Sequence, residues 1–320
     1  MTPSRRLAFA AAVPLVALLA GCAAPVVAET PDAAVTVENC GVAVTFAEPP
    51  QRVVTIKSTS TEMMLALGVG DRIVGTAFQD GPVPDAWAAE AADLTSLSDF
   101  MPSEEAVLEL EPDLVYSGWE SAFAADATGE RDELSSLGVA SYVQPAACRS
   151  ADVPAKLTFD EVFREIQEAA DIFGVPADDL LAAQRAELDA VEPDDRGLTA
   201  LWYSSGTDIP YVGAGLGAPQ LVLETAGLAN IAGDIDMTWS SFGWESVVAA
   251  DPDVIVLIDA AWNTAASKIE LLESNPATAA LTAVRNGHYL VLPFASGEAG
   301  VRTVSAATSV VAQLAELDLP

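Results

Sequence analysis

Two segments of this chain match each other without a gap. The first reads Glu105-Ala-Val-Leu-Glu-Leu-Glu-Pro-Asp-Leu-Val115, and the second, in the other half of the chain, reads Glu245-Ser-Val-Val-Ala-Ala-Asp-Pro-Asp-Val-Ile255. Each segment predicts a short helix, a Pro-Asp turn and a buried strand, because proline ends a helix and aspartate favours the turn. Equivalent units at equivalent places in two halves indicate that one lobe has been duplicated.

The residues around these segments alternate between strand and helix patterns. Strands are predicted at residues 53–56, 73–74, 114–116, 141–143, 198–202, 254–258 and 289–292, with helical patterns between them. This alternation predicts an α/β fold in which two similar lobes each contain a parallel central sheet. Two helical segments, Phe159 to Phe173 and Ala177 to Val191, separate the lobes. We therefore predict an N-terminal lobe over residues 39–157, a helical connector over 158–195 and a C-terminal lobe over 196–320.

The composition excludes several functional classes. The chain has 320 residues, of which 51% are hydrophobic and 19% charged, which is typical of a globular protein. Its formal net charge of -33 excludes nucleic-acid binding, because a field of that sign repels phosphate backbones. The chain has a single histidine, His288, which disfavours a His-ligated haem, zinc or manganese site. We predict no metal site and no resident cofactor.

The N-terminus predicts export. An apolar run over residues 7–20 follows two arginines and is too short for a spanning helix, which is typical of a secretory signal. It ends in Leu19-Ala-Gly-Cys22, which resembles a bacterial lipobox, so we predict a signal peptide over residues 1–21, lipidation of Cys22 and a tether over residues 22–38. An ordinary signal peptide cleaved a few residues later is the alternative. The lipid anchor alone would hold the protein on the extracytoplasmic face of the bacterial cell membrane.

Two further cysteines, Cys40 and Cys148, remain after removal of the signal peptide. In an oxidising compartment they predict one disulfide, which stabilises a protein by closing a long loop. Two buried free thiols are the alternative.

Taken together, these elements resemble the helical-backbone class of substrate-binding proteins of ABC importers, which includes binders of vitamin B12, ferric siderophores and haem. The resemblance covers about residues 41–317 and rests on Arg52-Val-Val54, the helix from Thr61 to Gly68, Leu137-Gly-Val139 and the two repeated segments. It implies a binding protein and not an enzyme. It also implies two lobes joined by one long helix, for which residues 177–191 fit, and a ligand cleft between the lobes.

The same resemblance implies partners for this chain. In the class, one exposed glutamate on each lobe docks onto arginines of a permease dimer, which works with its ATPase. Glu105 and Glu245 stand at the matching positions of the repeated segments. Stabilisation of a helix N-terminus by an acidic side chain is the alternative role for both residues.

Candidate ligand contacts follow the strands of both lobes, because ligands of open α/β sheets bind at the carboxyl ends of strands. Lys57, Ser58 and Thr59 follow the first strand and offer hydroxyls, backbone donors and one ammonium to an anionic group. A plain helix N-cap is the alternative for these three residues. Core packing is the alternative for the remaining candidates, and Arg149 is a weaker additional one. The remaining candidates lie at strand ends or in loops and are Phe78, Phe100, Trp119, Tyr203, Tyr211, Trp239, Trp262, Phe294 and Arg302.

Flat aromatic faces together with Lys57 and Arg302 predict a planar, anionic ligand. The stretches over residues 53–75 and Leu201 to Gly206 resemble an actinobacterial subgroup assigned to a deazaflavin cofactor precursor, which favours that ligand. A ferric siderophore or a corrinoid is the alternative.

Two other functional classes remain open. A secreted hydrolase would have to use His288 in a triad, and the chain contains no Gly-x-Ser-x-Gly nucleophile motif. A purely adhesive lipoprotein would show no stabilisation by a ligand, whereas a binding protein gains stability when its ligand is in excess.

Overall fold

The N-terminal lobe consists of a β-hairpin followed by a parallel sheet with helices packed on it. The computed structural model describes residue 2 and residues 34–149 and 155–319. The predicted signal peptide and Cys22 lie outside the described residues. The strands are β1 (Val35–Asn39), β2 (Val42–Phe46), β3 (Val53–Ile56), β4 (Ile73–Ala77), β5 (Ser96–Ser98), β6 (Leu114–Ser117) and β7 (Ala140–Val143). The helices are α1 (Ser58–Ala66), α2 (Ala88–Ala91), α3 (Glu104–Leu108) and α4 (Arg131–Ser136).

Strands β1 and β2 pair antiparallel, and the other five form a parallel sheet in the order β5-β4-β3-β6-β7. Every residue of β3 and β6 is buried, as expected for strands that are covered by helices on both faces of a parallel sheet. The end of the predicted tether over residues 22–38 belongs to β1, since Val35 begins that strand and Val37 is buried in the core, whereas residues 22–33 lie outside the described residues.

Two helices lie between the last strand of the N-terminal lobe and the first strand of the C-terminal lobe. They are α5 (Phe159–Phe173) and α6 (Asp178–Asp189). Thr158 and Glu161 form a capping box at the start of α5, and Gly174 ends it in the left-handed conformation, with φ 66°. Gly174 and the following Pro176 separate the two helices, as the sequence predicts, and α6 occupies the residues that fit the connecting helix implied by the resemblance.

The C-terminal lobe is built on a sheet of six strands. These are β8 (Thr199–Ser205), β9 (Tyr211–Gly213), β10 (Ala229–Asn230), β11 (Trp239–Ser241), β12 (Val254–Asp259) and β13 (Tyr289–Pro293). The order is β11-β9-β8-β12-β13, and β10 also pairs with β8. Helices α7 (Ala218–Thr225), α8 (Trp244–Ala250), α9 (Ala265–Ser274), α10 (Thr282–Asn286) and α11 (Thr303–Leu314) accompany this sheet.

The prediction of an α/β fold with two lobes is confirmed, with one correction to the second sheet. Strand β9 runs antiparallel to β8 and to β11, so this sheet is mixed and not purely parallel. The reason is that the connection from β8 to β9 is a short turn, and a short turn can join only antiparallel strands.

The repeated segments form the same structure in both lobes. In each lobe a short helix, α3 or α8, leads into a central strand, β6 or β12. Glu111 and Asp251, at matching positions, both adopt a left-handed backbone, with φ of 46° and 40°. Asp113 accepts a hydrogen bond from the backbone N–H of Arg52, and Asp253 accepts one from that of Thr199. Matching carboxylates therefore fix the start of a neighbouring strand in each lobe, which supports duplication.

One hydrophobic cluster joins the two lobes. It contains core residues of the N-terminal sheet and of α1, α5 and α6 together with Ala218, Ala299, Val301 and Val304 of the C-terminal lobe. Residues 33–320 accordingly form one compact unit. The disulfide between Cys40 and Cys148, which are 108 residues apart in sequence, ties the β1–β2 turn to the segment that follows β7.

A buried polar network connects α5 to the N-terminal sheet. Tyr116 donates its hydroxyl hydrogen to the side-chain oxygen of Gln144, and Gln144 donates its amide to Glu165, with an N–O distance of 2.9 Å. Burial raises the pKa of Glu165 to about 8, against the opposing effect of the hydrogen bond from Gln144. Glu165 is therefore held in its protonated form at neutral pH.

We expect Glu165 to contribute a fall of roughly 4 kcal/mol in the free energy of unfolding as pH rises from 4.5 to about 8, because the folded state keeps a proton on Glu165 that the unfolded chain releases. Glu165→Gln should make the total fall smaller by about this amount, as measured by urea unfolding across that range, while the contributions of Glu62 and Glu298, whose pKa values are also raised, remain. Asp160→Asn, an exposed site on the same helix, is the matched control and should keep the wild-type slope. An unchanged slope in Glu165→Gln would contradict the assignment.

Candidate functional site

Lys57 lies at the centre of a cluster of side chains between the two lobes. It follows β3 directly, adopts a left-handed backbone with φ 77° and is fully buried. Its ammonium forms an ion pair with Asp80, which follows β4. Phe78, also just after β4, has a left-handed backbone with φ 50°. Strained residues at the carboxyl ends of two adjacent strands are typical of a functional site, because only surrounding structure can maintain such strain.

Four aromatic rings surround the ammonium of Lys57, and we refer to them as the aromatic cage. The nitrogen lies 4.2, 4.0 and 4.5 Å from the ring centroids of Phe78, Trp119 and Phe294, and 5.8 Å from that of Trp262. Phe78 and Trp119 belong to the N-terminal lobe, whereas Phe294 and Trp262 belong to the C-terminal lobe. Edge-on contacts between Trp119 and Phe294 and between Phe294 and Trp262 join the rings across the cleft. The cage therefore exists only when both lobes face each other.

Glu298 brings a carboxylate from the C-terminal lobe into the cluster. The residue is half-buried, and its carboxylate accepts hydrogen bonds from the hydroxyl of Thr59 and the indole N–H of Trp119. Burial raises the pKa of Glu298 to about 7, while the ammonium of Lys57 opposes this rise.

Arg302 connects the lobes through a second ion pair. Its guanidinium binds both carboxylate oxygens of Glu62 on α1, with an Nε–Oε2 distance of 2.5 Å, and also reaches the backbone oxygen of Pro82 at 3.2 Å. Glu62 is 1% exposed and Arg302 is 11% exposed. Burial raises the pKa of Glu62, and the hydrogen bonds from Arg302 oppose this. The pairing compensates a buried carboxylate that would otherwise be very costly.

Asp80 also joins the lobes. Its backbone oxygen accepts a hydrogen bond from the backbone N–H of Ala261 at 2.7 Å, and its carboxylate accepts one from the indole of Trp262 at 3.2 Å. Ser58 supports Asp80, because its hydroxyl accepts the backbone N–H of Asp80 at 2.8 Å.

Three other predicted ligand contacts, Phe100, Tyr211 and Trp239, lie outside the group of side chains that surrounds Lys57. Phe100 is 60% exposed and lies edge-on to Phe78, with ring centroids 5.6 Å apart. Tyr211 and Trp239 stack on each other with their centroids 6.0 Å apart. Trp239 also borders Gly297, where an added Cβ would lie only 3.3 Å from its ring. These three residues thus lie beside the cleft without touching Lys57.

Tyr203 does not join the cluster. It is buried, donates its hydroxyl hydrogen to the backbone oxygen of Gly206 and packs edge-on against Trp244. Successive residues of a strand point to opposite faces, so the ring of Tyr203 lies on the face of β8 opposite to that of Trp202. It lines a separate cavity of about 300 Å³ that also includes Lys268. Arg149 is exposed and donates its backbone N–H to the carboxylate of Glu120.

Four residues of the site were missed by the sequence analysis, namely Glu62, Asp80, Trp202 and Glu298. Asp80 and Glu298 follow strands β4 and β13, so the rule that located the aromatic candidates would also have found these acids. Trp202 is fully buried beside Gly297, and its indole N–H has no acceptor among the described residues. Glu62 carries no comparable sequence signal, since it lies in the middle of a helix.

The ion pairs correct the prediction of a cationic patch for an anionic ligand. Both candidate cations are already neutralised, Lys57 by Asp80 and Arg302 by Glu62. Glu298 adds a further carboxylate. The cluster therefore offers no excess positive charge.

Glu105 and Glu245 lie far apart in sequence but occupy the same structural position. Each is exposed in the first turn of its helix, α3 or α8.

Across residues 34–149 and 155–319, no group of three or more His, Cys, Asp or Glu side chains could hold a metal ion. None of the helices described by the structure is long and apolar enough to span a membrane.

Arg302→Met should lower the free energy of unfolding by about 3–5 kcal/mol, because it leaves the carboxylate of Glu62 buried without its partner. The double variant Glu62→Met and Arg302→Met should recover most of this loss, since it removes both charges. Chemical denaturation of the three proteins measures the difference. Lys156→Met, which removes the exposed pair with Glu224, is the control and should change stability little. Equal losses in the single and double variants would contradict this account.

Comparison with known proteins places the chain in a family. Residues 53–295 match the family model described as periplasmic binding protein. An uncharacterized ABC transporter substrate-binding lipoprotein of Bacillus subtilis, YvrC, is 25% identical over 225 residues, which cover 68% of this chain and 66% of that protein. A cobalamin-binding protein of Halobacterium salinarum is 29% identical over 67% of this chain and 55% of its own length. The chain thus spans two thirds or less of these relatives.

A solved structure extends this likeness to most of the chain. An ABC-type Fe³⁺-hydroxamate transport protein of Saccharomonospora viridis superposes with a TM-score of 0.72 and 26% sequence identity. The match covers 88% of this chain and 98% of that one. The family model, the interlobe cluster and this superposition agree, and the chain belongs to the periplasmic binding protein family.

Proposed function

We propose that this protein captures a small solute in the cleft between its lobes and delivers it to the permease of an ABC importer. The observation that carries the proposal is the aromatic cage, in which rings from both lobes meet at the carboxyl ends of the central strands. Such edges are where open α/β sheets bind ligands. The named relatives, a transporter lipoprotein and a hydroxamate transport protein, support the same role.

The solute is proposed to be a ferric siderophore or a corrinoid. The named relatives include a cobalamin-binding protein and an Fe³⁺-hydroxamate transport protein, which supports this choice. A deazaflavin precursor was predicted partly from two free cations, and the pairing of Lys57 and Arg302 removes that argument. The deazaflavin ligand therefore remains a prediction from sequence resemblance alone.

Binding without catalysis is proposed for this site. A triad would need His288, but this residue precedes β13 and contacts the backbone oxygen of Asp253, which precedes β12. His288 thus lies at the amino-terminal edge of the sheet, opposite to the edge that carries the aromatic cage.

We also propose that Cys22 carries a lipid anchor and that the described lobes are held outside the membrane by it. The likeness to a lipoprotein supports this proposal. Lobes over residues 39–157 and 196–320, joined by residues 158–195, remain our proposed division of the chain.

Protein purified from its own host should retain the solute, and mass spectrometry together with metal analysis should identify it. Trp119→Ala should weaken the affinity for that solute at least tenfold, because it removes a ring from the centre of the cage. Tyr203→Phe alters a buried aromatic residue outside the cluster and is the matched control. A host ligand that binds Trp119→Ala as tightly as wild type would refute the proposed site.

The docking role of Glu105 and Glu245 can be tested separately from ligand binding. The double variant Glu105→Ala and Glu245→Ala should abolish uptake in cells and leave the solute affinity of the purified protein unchanged, because both residues are exposed on helices outside the cage. The matched control is the double variant Glu109→Ala and Glu273→Ala. It removes two exposed glutamates that lie at the end of α3 and within α9, away from the first turns of α3 and α8. Normal uptake by the first variant would disprove docking through these glutamates.

A further inference from the structure

A short loop of the C-terminal lobe contacts the N-terminal lobe beside the aromatic cage. It covers residues 260–264, between β12 and α9, and we call it the Trp262 loop. The backbone N–H of Ala261 donates to the backbone oxygen of Asp80 at 2.7 Å. The indole of Trp262 donates to the same carboxylate oxygen of Asp80 that pairs with Lys57. The conformation of this loop therefore decides how the C-terminal lobe meets Asp80.

Lys268 on α9 ties the Trp262 loop to the end of the preceding strand. Within the loop, Ala260 and Asn263 exchange two backbone hydrogen bonds, of 3.2 and 3.0 Å. The side-chain nitrogen of Lys268 donates to the backbone oxygen of Ile258, near the end of β12, at 2.6 Å and to that of Asn263 at 2.7 Å. One side chain thus connects the strand that leads into the loop with the far side of the loop.

The burial of Lys268 shows what its amine contributes. The residue is 2% exposed, and none of the ion pairs among the described residues includes it. Burial lowers the pKa of Lys268 to about 8, against the attraction of Asp259. A buried amine is costly, and the two carbonyl acceptors offset this cost only while the loop stays in place. A neutral amine keeps two hydrogens, so both connections persist on either side of this pKa.

We infer that Lys268 is a positioning residue for the cleft, because it holds the Trp262 loop in the conformation in which Ala261 and Trp262 reach Asp80. It acts from outside the aromatic cage, since Lys268 and Asn263 line the separate cavity of about 300 Å³. The inference rests on the proposed capture of a solute between the lobes. It adds to that proposal a residue that shapes one wall of the cleft from behind the loop.

Amide hydrogen exchange of Ala261 reports on this contact, because its N–H is protected while it is bonded to Asp80. Lys268→Met retains the length of the side chain and removes its donors. We expect the Ala261 amide of the full-length variant to exchange at least about tenfold faster than in wild type, as measured by NMR, because two hydrogen bonds to the loop and its strand are lost. Glu270→Gln, which alters an exposed residue of the same helix, is the matched control and should leave the rate unchanged.

The amide of His288 measures any general loosening of the C-terminal lobe. It donates to the backbone oxygen of Ala283 and lies at the opposite edge of the sheet from the Trp262 loop. Its exchange rate should remain within about twofold of wild type in Lys268→Met. An Ala261 amide that does not accelerate, or that accelerates no more than the amide of His288, would overturn the inference.

A second experiment leaves Lys268 unchanged and decides the inference even if Lys268→Met does not fold. Coupling between two sites is reciprocal, so a loop that loses its contact with Asp80 must cover Lys268 less well. Trp262→Ala removes the indole donor, and the pKa of Lys268 should then rise from about 8 toward its ordinary value of about 10.4. NMR of isotope-labelled lysine follows this titration. A pKa of Lys268 that is the same in Trp262→Ala as in wild type would contradict the coupling.

Neither measurement involves a solute, so their outcomes are separate from the test of the proposed function. If Ala261 is insensitive to Lys268→Met while the host solute depends on Trp119, the positioning inference fails and the proposed function stands. If Ala261 responds but the host solute binds independently of Trp119, the proposed site fails and the connection between Lys268 and the Trp262 loop remains.

Discussion

The bidentate ion pair between Glu62 and Arg302 is the interaction on which the arrangement of the cleft depends. Helix α1 is buried along almost its whole length, including the carboxylate of Glu62, and a buried carboxylate without a cation would be highly unfavourable. Arg302 can satisfy it only when the start of α11 in the C-terminal lobe lies against α1 of the N-terminal lobe. The pair therefore fixes how the two lobes face each other. It also sets the position of Lys57, Ser58 and Thr59, which form the N-terminal end of the same helix.

Within this arrangement the cleft is closed by its own side chains. The ammonium of Lys57 occupies the space between the four rings of the aromatic cage, and Glu298 bonds across the cleft to Thr59 and Trp119. These internal contacts link the two lobes around the ammonium of Lys57.

The sequence was sufficient for the fold, but for only half of the site. The Pro-Asp segments predicted α3–β6 and α8–β12, because helix-ending proline and buried apolar strands are local signals. The antiparallel edge of the second sheet could not be predicted in this way, since β9 and β11 have three residues each and no measurable periodicity.

For the site, the small number of basic residues indicated two of its members, whereas the large number of acidic residues gave no such indication. Basic residues are few in this chain, so Lys57 and Arg302 stood out, and the strand-end rule located Phe78, Trp119 and Phe294. Composition gave no such signal for the acidic residues of the site, because Glu62, Asp80 and Glu298 are three of 47 acidic residues, and only the position of Asp80 and Glu298 after strands could have indicated them. The pairing itself depends on residues that are distant in sequence, such as Glu62 and Arg302, and only the folded structure brings them together.

The duplicated architecture supplies the scaffold and leaves the site asymmetric. Matching positions that organise the backbone kept the same role, as Asp113 and Asp253 do at the start of a strand in each lobe. Positions that follow the repeated strands diverged: Trp119 is part of the aromatic cage, whereas its counterpart Asp259 accepts the backbone N–H of Ala265 at 2.7 Å. The exposed pair Glu105 and Glu245 kept its identity and its place in the first turn of a helix in each lobe. Duplication is therefore retained in the backbone and at these two exposed positions, and it is lost among the side chains that meet in the cleft.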